Sequence, residues 1–437
     1  MNSHRQVCCC ITATLTAATL ALPATAQEPW SLERCIDYAV AHNITIEQYQ
    51  LRTEQQTLQL QTAKASRLPD LSASAGQNFS FGRGLTADNT YTNTNTSSTN
   101  FSLGTSVPLF TGFQIPNQIA LNRLNLEAAT QDLEKAKNDI RTQVAQDYVQ
   151  VLYNMEILDV ARLQNLLDVG RASHAELAQQ QATLAQSHLT LTQAENNLSL
   201  ALLSLAQLLE LDSPEGFTIV RPDYDCSDTT ATATTPDELF AMALATRPEI
   251  QADQLRLRAA DRSIKIAQAG LYPTLSFSAG LGTNYYTTSG FKADGFGTQL
   301  KNNFSQYLGF NLNIPIFNRF QTRNNISAAK LDRVNQQLQS DQDKKTLYKE
   351  IQQAWYNTVA AKAKYRSSSQ AQQASNEAFA LVQAKYEQGK ATITEFNEAK
   401  NSYLKTESDL TQARYEYLYQ QALLRFYSGQ PLTFQRK

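Results

Sequence analysis

Two periodic patterns of apolar and polar residues divide the chain. The first has a period of two, which is typical of β-strands. It is clearest from Leu275 to Leu281 and from Leu308 to Ile314, where Ser, Gly or Asn separates the apolar residues. Weaker copies run from Leu71 to Ala75 and from Phe101 to Val107. Strands with one apolar and one polar face suit a wall between lipid and water, and these runs approach the roughly 9–11 residues of a spanning strand.

The second pattern has a period of seven and predicts helices that pack as coiled coils. Two segments without proline or glycine, Asn117 to about Val169 and Arg319 to Gln388, precede the seven-residue repeats. As a helix the second segment would be roughly 100 Å long. The repeating positions are Leu177, Leu184, Leu191, Leu198 and Leu205, and then Phe396, Tyr403, Leu410, Tyr417 and Leu424.

These elements occur twice in the same order. Ser31–Gly76 aligns with Thr235–Gly280, Phe113-Gln114 matches Phe320-Gln321, and Gly170 matches Gly389. Each half is therefore predicted to contain a helix, a strand, a loop, a strand and two long helices joined by a turn. The predicted divisions are a signal peptide at 1–26, a first repeat at 27–211, a linker at 212–234 and a second repeat at 235–437.

Residues with special backbone preferences mark where the elements begin and end. Ser31 and Thr235 are suited to cap the leading helix of each repeat. Pro69 and Pro273 should end those helices, because proline disfavours helical geometry in the residue before it. In the linker, Phe217–Val220 is a candidate short strand.

Polar segments connect the strands of each predicted pair. Gly82–Asn100 and Thr287–Asn303 are rich in Gly, Asn, Thr and Ser, and we expect them to be surface loops. Four strands are too few to close a barrel, for which about eight are needed. Copies of the chain should therefore associate, and three copies would contribute twelve strands to one shared barrel.

The amino terminus and the charge restrict the class of protein. Arg5, the apolar run Val7–Leu22 and the small residues Ala24-Thr25-Ala26 indicate a secretory signal cleaved after Ala26. A formal net charge of −2 provides no argument for nucleic acid as a partner.

Candidate chemistry is sparse in the sequence. Cys35 and Cys226, the two cysteines after the signal, could form a disulfide, but the apolar helical position of Cys35 favours a buried thiol. We find no catalytic constellation, metal-ligand spacing or nucleotide-binding motif. The sequence therefore predicts a protein that is not an enzyme and has no cofactor or bound metal.

The duplicated motifs resemble the TolC family of outer-membrane efflux proteins. The resemblance rests on the leading helix Ser31–Ala39, on Leu68-Pro69-Asp70-Leu71, on Val107–Gly112 and on Gly389-Lys390-Ala391-Thr392. It covers nearly the whole chain after the signal. No single motif is specific, but their duplicated order is.

The resemblance implies a mainly α-helical protein that forms a trimeric TolC-like duct. Each subunit would give four strands to a shared 12-stranded membrane β-barrel and its helices to a coiled-coil barrel in the periplasm. The implied function is a passive outer-membrane conduit for small molecules in an efflux or secretion system. The implied partners are two further copies of the chain, a periplasmic adaptor, an inner-membrane pump of the RND or ABC type and outer-membrane lipid.

The alternative is a periplasmic coiled-coil adaptor or a structural envelope protein. An adaptor would have one helical hairpin and separate modules in series, which the duplication argues against.

The resemblance also implies a gate at the turn before the last long helix. Glu395 and Glu398 match acidic residues that narrow the periplasmic tip, and Tyr386 and Glu176 match members of a latch. The i, i+3 spacing of Glu395 and Glu398 places these two gate residues on one helical face. The latch arginine of the family is replaced by Ala391 here. The alternative for Glu395 and Glu398 is a solvated face with the usual preference for acids in a first helical turn.

Overall fold

The computed structural model of the chain describes residues 29–85, 89–165, 174–221 and 235–434. The predicted signal peptide, Gly170, Cys226 and the side chain of Glu176 lie outside this description. The elements are α1 (Leu32–His42), α2 (Ile44–Ala65), β1 (Ser72–Leu85), β2 (Tyr91–Thr111), α3 (Gln114–Asn165), α4 (His174–Leu208), α5 (Pro236–Thr246), α6 (Pro248–Ala269), β3 (Thr274–Thr288), α7 (Phe296–Asn302), β4 (Ser305–Asn313), α8 (Gln321–Glu387) and α9 (Ile393–Tyr427).

The leading helix of each repeat is capped as expected but is broken in the middle. The Ser31 hydroxyl accepts a hydrogen bond from the Arg34 N–H (3.2 Å), and Thr235 forms a full capping box with Glu238. The breaks fall at Asn43 and Arg247, which occupy equivalent positions in the two repeats and have extended backbones. Arg247 precedes Pro248, which disfavours a helical conformation there. The single leading helix that we expected in each repeat is therefore two helices.

The four strands form one antiparallel sheet in the order β1-β2-β3-β4. The two repeats join at the β2–β3 pair, which runs in register from Thr96↔Thr288 to Val107↔Phe277. β1 and β4 are the edge strands, and each leaves one side of its backbone without a partner strand among the described residues.

The expected surface loops are partly wrong. β1 continues to Leu85 and β2 begins at Tyr91, so most of Gly82–Asn100 is paired strand. The second segment contains the end of β3 and the short helix α7. The Thr-, Ser- and Asn-rich sequence of β2 has no apolar alternation there. Backbone pairing with β1, joined from Thr96 onward by pairing with β3, holds this segment extended without side-chain burial.

The long helices agree with the sequence prediction and pack in two rows. Next to the sheet the order is α2–α3–α6–α8, and towards the far ends of the long helices it is α4–α3–α9–α8. Among the heptad residues, Leu191 and Leu198 pack against a buried cluster between α3 and α4, and Leu205, Tyr417 and Leu424 are almost completely buried. The seven-residue repeat therefore marks the seams of the second row.

A large buried cluster joins Trp30 and α1 to α3 and the linker. The Trp30 backbone N–H donates to the Thr218 carbonyl (2.9 Å), and the Val220 backbone N–H donates to the Trp30 carbonyl (2.9 Å). The short strand expected in the linker is thus reduced to one parallel β-bridge between Trp30 and Ile219. The Tyr148 hydroxyl donates to the Val220 carbonyl (2.8 Å). Cys35 is fully buried in the same cluster, and this burial raises the pKa of its thiol to about 12. The buried position is the one expected from the sequence, and the raised pKa makes the thiol poorly reactive.

The two junctions between strand and long helix share an unusual backbone. Gly112 and Phe113 in the first repeat have positive φ angles (59° and 65°), as do Arg319 and Phe320 in the second (54° and 62°). A left-handed conformation costs a residue with a side chain about 1–2 kcal/mol. Gly112 avoids this cost, and a Cβ there would lie 2.6 Å from the Ala269 carbonyl oxygen. Arg319 does not avoid it.

We expect Arg319→Gly to raise the free energy of unfolding by about 1 kcal/mol, because glycine adopts a positive φ without steric strain. The control is Arg366→Gly in the middle of α8, where glycine should lower it by about 1 kcal/mol. Thermal unfolding of the purified protein in detergent measures both. A midpoint that falls in both variants would contradict the strain at Arg319.

Candidate functional site

The sheet has one apolar and one polar face, as the alternation predicted. Cross-strand partners share a face, so Phe101, Leu103, Phe277 and Phe310 lie on the same side. The rings of Phe277 and Phe310 are in contact, with centroids 5.2 Å apart. The opposite face carries Ser72, Ser74, Asn78, Ser102, Gly104, Ser278, Gly280, Gly309 and Asn311. One sheet therefore presents an apolar surface to one side and a small, polar surface to the other.

Tyr307 is an aromatic residue on the polar face, and we did not anticipate its position. Gly104, Gly280 and Tyr307 lie in one row across β2, β3 and β4. A Cβ built on Gly280 would lie 2.5 Å from the Tyr307 ring, so the ring covers this glycine. The glycine lets the ring lie flat on the sheet. The signal was present in the alternation, since Tyr307 falls on the side of Gly309 and Asn311.

We expect Gly280→Ala to destabilise the sheet by about 1–3 kcal/mol, because the new methyl group overlaps the Tyr307 ring. The matched control is Gly282→Ala on the same face, where the new Cβ would lie 3.4 Å from the Ser305 hydroxyl. Thermal midpoints of the two variants provide the comparison. Equal thermal midpoints in the two variants would show that the packing of the Tyr307 ring on the sheet does not require a glycine at position 280.

Every layer of the subunit ends on both sides in an element without a further neighbour among the described residues. β1 ends the sheet, α2 ends the helix row beside it and α4 ends the second row. On the other side β4 ends the sheet and α8 ends both helix rows. The subunit is therefore a wall segment with two open edges along its length.

The helices at these open edges carry exposed apolar stripes. On α2 the stripe is Ile44, Leu51 and Leu58, spaced by seven residues, and each side chain is more than half exposed. On α8 it is Leu331, Val334 and Leu338, which are also more than half exposed. We call these the α2 stripe and the α8 stripe.

Contacts across the row place the two stripes at similar heights. The Thr53 hydroxyl on α2 donates to the Ala129 carbonyl on α3 (3.5 Å), and Asp132 on α3 pairs with Arg256 on α6 (2.5 Å). Farther along α6, Asp261 pairs with Arg333 on α8 (2.7 Å). The apolar edge on one side of the wall is therefore level with the apolar edge on the other.

The turn between α8 and α9 is built by one glycine and one capping box. The Gly389 N–H donates to the Tyr386 carbonyl (2.8 Å) and the Lys390 N–H donates to the Lys385 carbonyl (2.8 Å), which is a Schellman arrangement. Gly389 has a φ of 71°, which favours glycine. Thr392 then caps α9 as its hydroxyl accepts from the Glu395 N–H (3.2 Å).

Glu395 and Glu398 are both exposed near this turn. The carboxylate of Glu395 closes the capping box and accepts from the N–H (2.7 Å) and the hydroxyl (3.0 Å) of Thr392. The hydrogen bond from the Thr392 backbone is the main cause that lowers the pKa of Glu395, followed by the hydroxyl and, more weakly, by Lys385. Thr392-x-x-Glu395 is a capping-box motif that is readable in the sequence, but we did not predict it there.

Tyr386 belongs to an aromatic ladder between α8 and α9. Its ring stacks on Phe396 with centroids 5.0 Å apart, and Phe379 contacts both Phe396 and Tyr403 (5.6 Å each). This ladder holds the two helices together beside the turn. The contact between Tyr386 and Glu176 is not tested, because the side chain of Glu176 lies outside the described residues. The latch stays a prediction.

Among residues 29–85, 89–165, 174–221 and 235–434, no group of three or more His, Cys, Asp or Glu side chains is arranged to hold a metal ion. None of the helices in those ranges combines sufficient length with sufficient apolar character to cross a membrane.

Similarity to known proteins agrees with this geometry. The sequence profile of the outer membrane efflux protein family matches residues 35–210 and 239–430. Such proteins are outer-membrane channels of efflux systems and not enzymes. The chain belongs to the outer membrane efflux protein family.

Individual relatives are distant. The pyoverdine export outer membrane protein OpmQ of Pseudomonas aeruginosa is 29% identical over 283 residues, which are 60% of this chain and 56% of OpmQ. The chain thus spans just over half the length of this relative. The outer membrane efflux protein BepC of Brucella suis is 23% identical, over 81% of this chain and 75% of BepC.

Solved structures show the same fold. CusC superposes with a TM-score of 0.75 at 18% identity, covering 92% of each chain. The CmeC outer membrane channel of Campylobacter jejuni superposes with a TM-score of 0.73 at 19% identity, covering 91% of this chain and 86% of CmeC. The predicted TolC-like fold is therefore confirmed. Members of the family act as trimeric channels with adaptor proteins and inner-membrane pumps, and family membership implies an outer-membrane location.

Proposed function

We propose that three copies of this chain close into one duct and that the duct conducts small molecules passively out of the cell. The sheets would form a shared 12-stranded barrel in the outer membrane, and the helix rows would form a tunnel in the periplasm. The observation that carries this proposal is the open-edged wall, in which the same two sides are left unpartnered at every level.

The sheet provides the first support. In lipid an unpaired backbone N–H or C=O costs several kcal/mol, so an open sheet edge is not tolerated there. Pairing β4 of one copy with β1 of the next removes both edges. The apolar face with Phe277 and Phe310 then contacts lipid, and the Ser, Gly and Asn face lines a water-filled lumen.

The helix edges provide the second support. The α2 stripe and the α8 stripe lie at similar heights on opposite sides of the wall. Packing the α8 stripe of one copy against the α2 stripe of the next would bury both, at about 1.5–3 kcal/mol for each fully buried Leu.

We assign the gate of this duct to the α8–α9 turn. Three copies would bring Glu395 and Glu398 into rings of three carboxylates, which favour cations and repel anions. Tyr386 and Glu176 would act as the latch beside it. The aromatic ladder supports a rigid turn, because it fixes the direction from which α9 starts.

We assign the energy source to a partner, an inner-membrane pump of the RND or ABC type that is coupled through a periplasmic adaptor. The sequence carries no Gly-rich loop followed by Lys-Ser or Lys-Thr that would bind nucleotide phosphates. Splaying of the α8–α9 hairpins by the adaptor would open the tip.

Two measurements on the purified protein test this function. The oligomer should migrate on a gel as a trimer that heating dissociates, and it should form discrete channels in a planar bilayer. An adaptor or a structural protein of the envelope would show no heat-sensitive barrel and no conductance. A monomer that does not enter bilayers would exclude the duct.

A further inference from the structure

A charged cavity of about 300 Å³ lies where α6 begins and α9 ends, between α3 and α8. Its floor includes Arg247, Asp253 and Leu347, each at least nine-tenths buried. Lys135 and Asp139, with side chains 48% and 61% exposed, lie at its mouth.

The internal duplication explains why a cavity can form here. Arg247 is equivalent to Asn43, which breaks the leading helix of the first repeat. The Asn43 amide donates directly to the Leu208 carbonyl at the end of α4 (3.0 Å). The longer Arg247 instead places its guanidinium over the rings of Phe426 (4.7 Å) and Tyr427 (4.6 Å) at the end of α9. Its Nη2 is buried without a hydrogen-bond partner in the described part of the protein.

The charges that line the cavity do not balance. The six acids are Asp132, Asp139, Glu249, Asp253, Asp343 and Glu350, and the three bases are Lys135, Arg247 and Arg256. Lys135 pairs with Asp139 (2.6 Å), and Arg256 pairs with Asp132 (2.5 Å) and Asp253 (3.3 Å). Within the described ranges, Glu249, Asp343 and Glu350 form no ion pair. The cavity thus carries an excess of three carboxylates.

The buried carboxylate of Asp253 has an oxygen without a hydrogen-bond donor in the described ranges. Asp253 is only 3% exposed, and its Oδ2 is buried without a hydrogen-bond donor among the residues that the structure describes. A buried carboxylate oxygen without a donor is unfavourable, because folding removes its water without replacing it.

We propose that this cavity binds a small organic cation, an amine or a guanidinium. Such a cation supplies both the N–H donor that Asp253 Oδ2 lacks and the positive charge that Glu249, Asp343 and Glu350 lack. The cavity volume accommodates a short diamine or a guanidinium group.

The raised pKa values of two carboxyl groups in the cavity agree with this assignment. Burial raises the pKa of Glu350, and the neighbouring Glu249 carboxylate raises it further. Burial also raises the pKa of Asp253, with the Asp343 carboxylate as the next cause. A bound cation stabilises the ionised carboxylates, so binding should release protons when it begins at a mildly acidic pH.

The test is isothermal titration of the purified oligomer with agmatine and putrescine at low salt and pH 6. We expect saturable binding that Asp253→Asn and Glu350→Gln each weaken at least 10-fold. The matched control is Asp332→Asn, which changes an exposed acid on α8 outside the cavity and should leave the affinity unchanged. The heat should also depend on the ionisation enthalpy of the buffer, as expected from proton release.

Other ligands separate this site from its alternatives. The neutral 1,4-butanediol should not bind, and glycine betaine tests whether the unpartnered Arg247 Nη2 selects a dipolar solute instead. Tighter binding of betaine or of Mg²⁺ than of the amines would overturn the proposal, as would absent binding or equal affinity in all three variants. If Asp253→Asn fails to assemble, Glu350→Gln decides the outcome alone. These measurements do not require conduction, so a failed duct and a failed cation site remain distinguishable.

Discussion

Replacing Leu51 and Leu58 with Lys is expected to abolish the trimer. In the proposed assembly the α2 stripe packs against the α8 stripe of the neighbouring copy, and this contact occurs three times. Each substitution removes about 1.5–3 kcal/mol of apolar burial and places an unpaired ammonium in an apolar seam. The heat-dissociable trimer should be replaced by monomer in size-exclusion chromatography and on gels.

The matched control places the same two charges elsewhere on α2. Gln50 and Gln59 are exposed, and each is directly next to a stripe leucine in the sequence, so it points about 100° away from that leucine. The Gln50→Lys/Gln59→Lys variant should remain trimeric. A trimer that survives in the Leu51→Lys/Leu58→Lys variant would place the subunit interface elsewhere, and loss of the trimer in both variants would attribute the effect to charge alone.

Replacing Glu395 and Glu398 with Gln is expected to weaken block by a multivalent cation at least ~10-fold. Two close unit charges interact by about 1 kcal/mol even in bulk water, and the trimer would lose six carboxylates at once. Glutamine is the informative substitution, because its side-chain oxygen can still complete the capping box with Thr392. Single-channel recordings in planar bilayers, with a trivalent cation added on the tip side, measure the block.

The structure also supplies the control for this prediction. Thr392→Ala removes the cap at a cost of about 1 kcal/mol in helix stability but leaves both charges in place. Cation block should persist in Thr392→Ala and be lost in Glu395→Gln/Glu398→Gln. The reverse order would assign these residues a purely structural role, and the tip gate would have to lie elsewhere.

Several features of the fold could be predicted from the sequence because their causes are local or periodic. The alternation around Phe277 and Phe310 depends only on the period of two in a strand. The long helices follow from the absence of proline and glycine and from the heptads. The duplication showed that both repeats would have the same elements, and the capping residues Ser31 and Thr235 act within one turn of their helices.

Other features depended on contacts between distant segments. The polar part of β2 is a strand because it pairs with β1 and β3. Its own side chains give no indication of a strand. The residues that Asn43 and Arg247 contact at the helix breaks, at the ends of α4 and α9, lie more than 160 residues away along the chain. Sequence periodicity contains no information about such long-range contacts.

The candidate site divides in the same way. The sequence by itself determined that the wall has two unlike faces, that long paired helices extend from it and that Glu395 and Glu398 share a face near a turn. Only the tertiary structure decided which elements form the open edges, how Tyr307 rests on Gly280 and where three carboxylates are left without cations. The reason is physical: local periodicity determines which face of an element is apolar, whereas the neighbours of that face depend on packing between segments that are far apart in the chain.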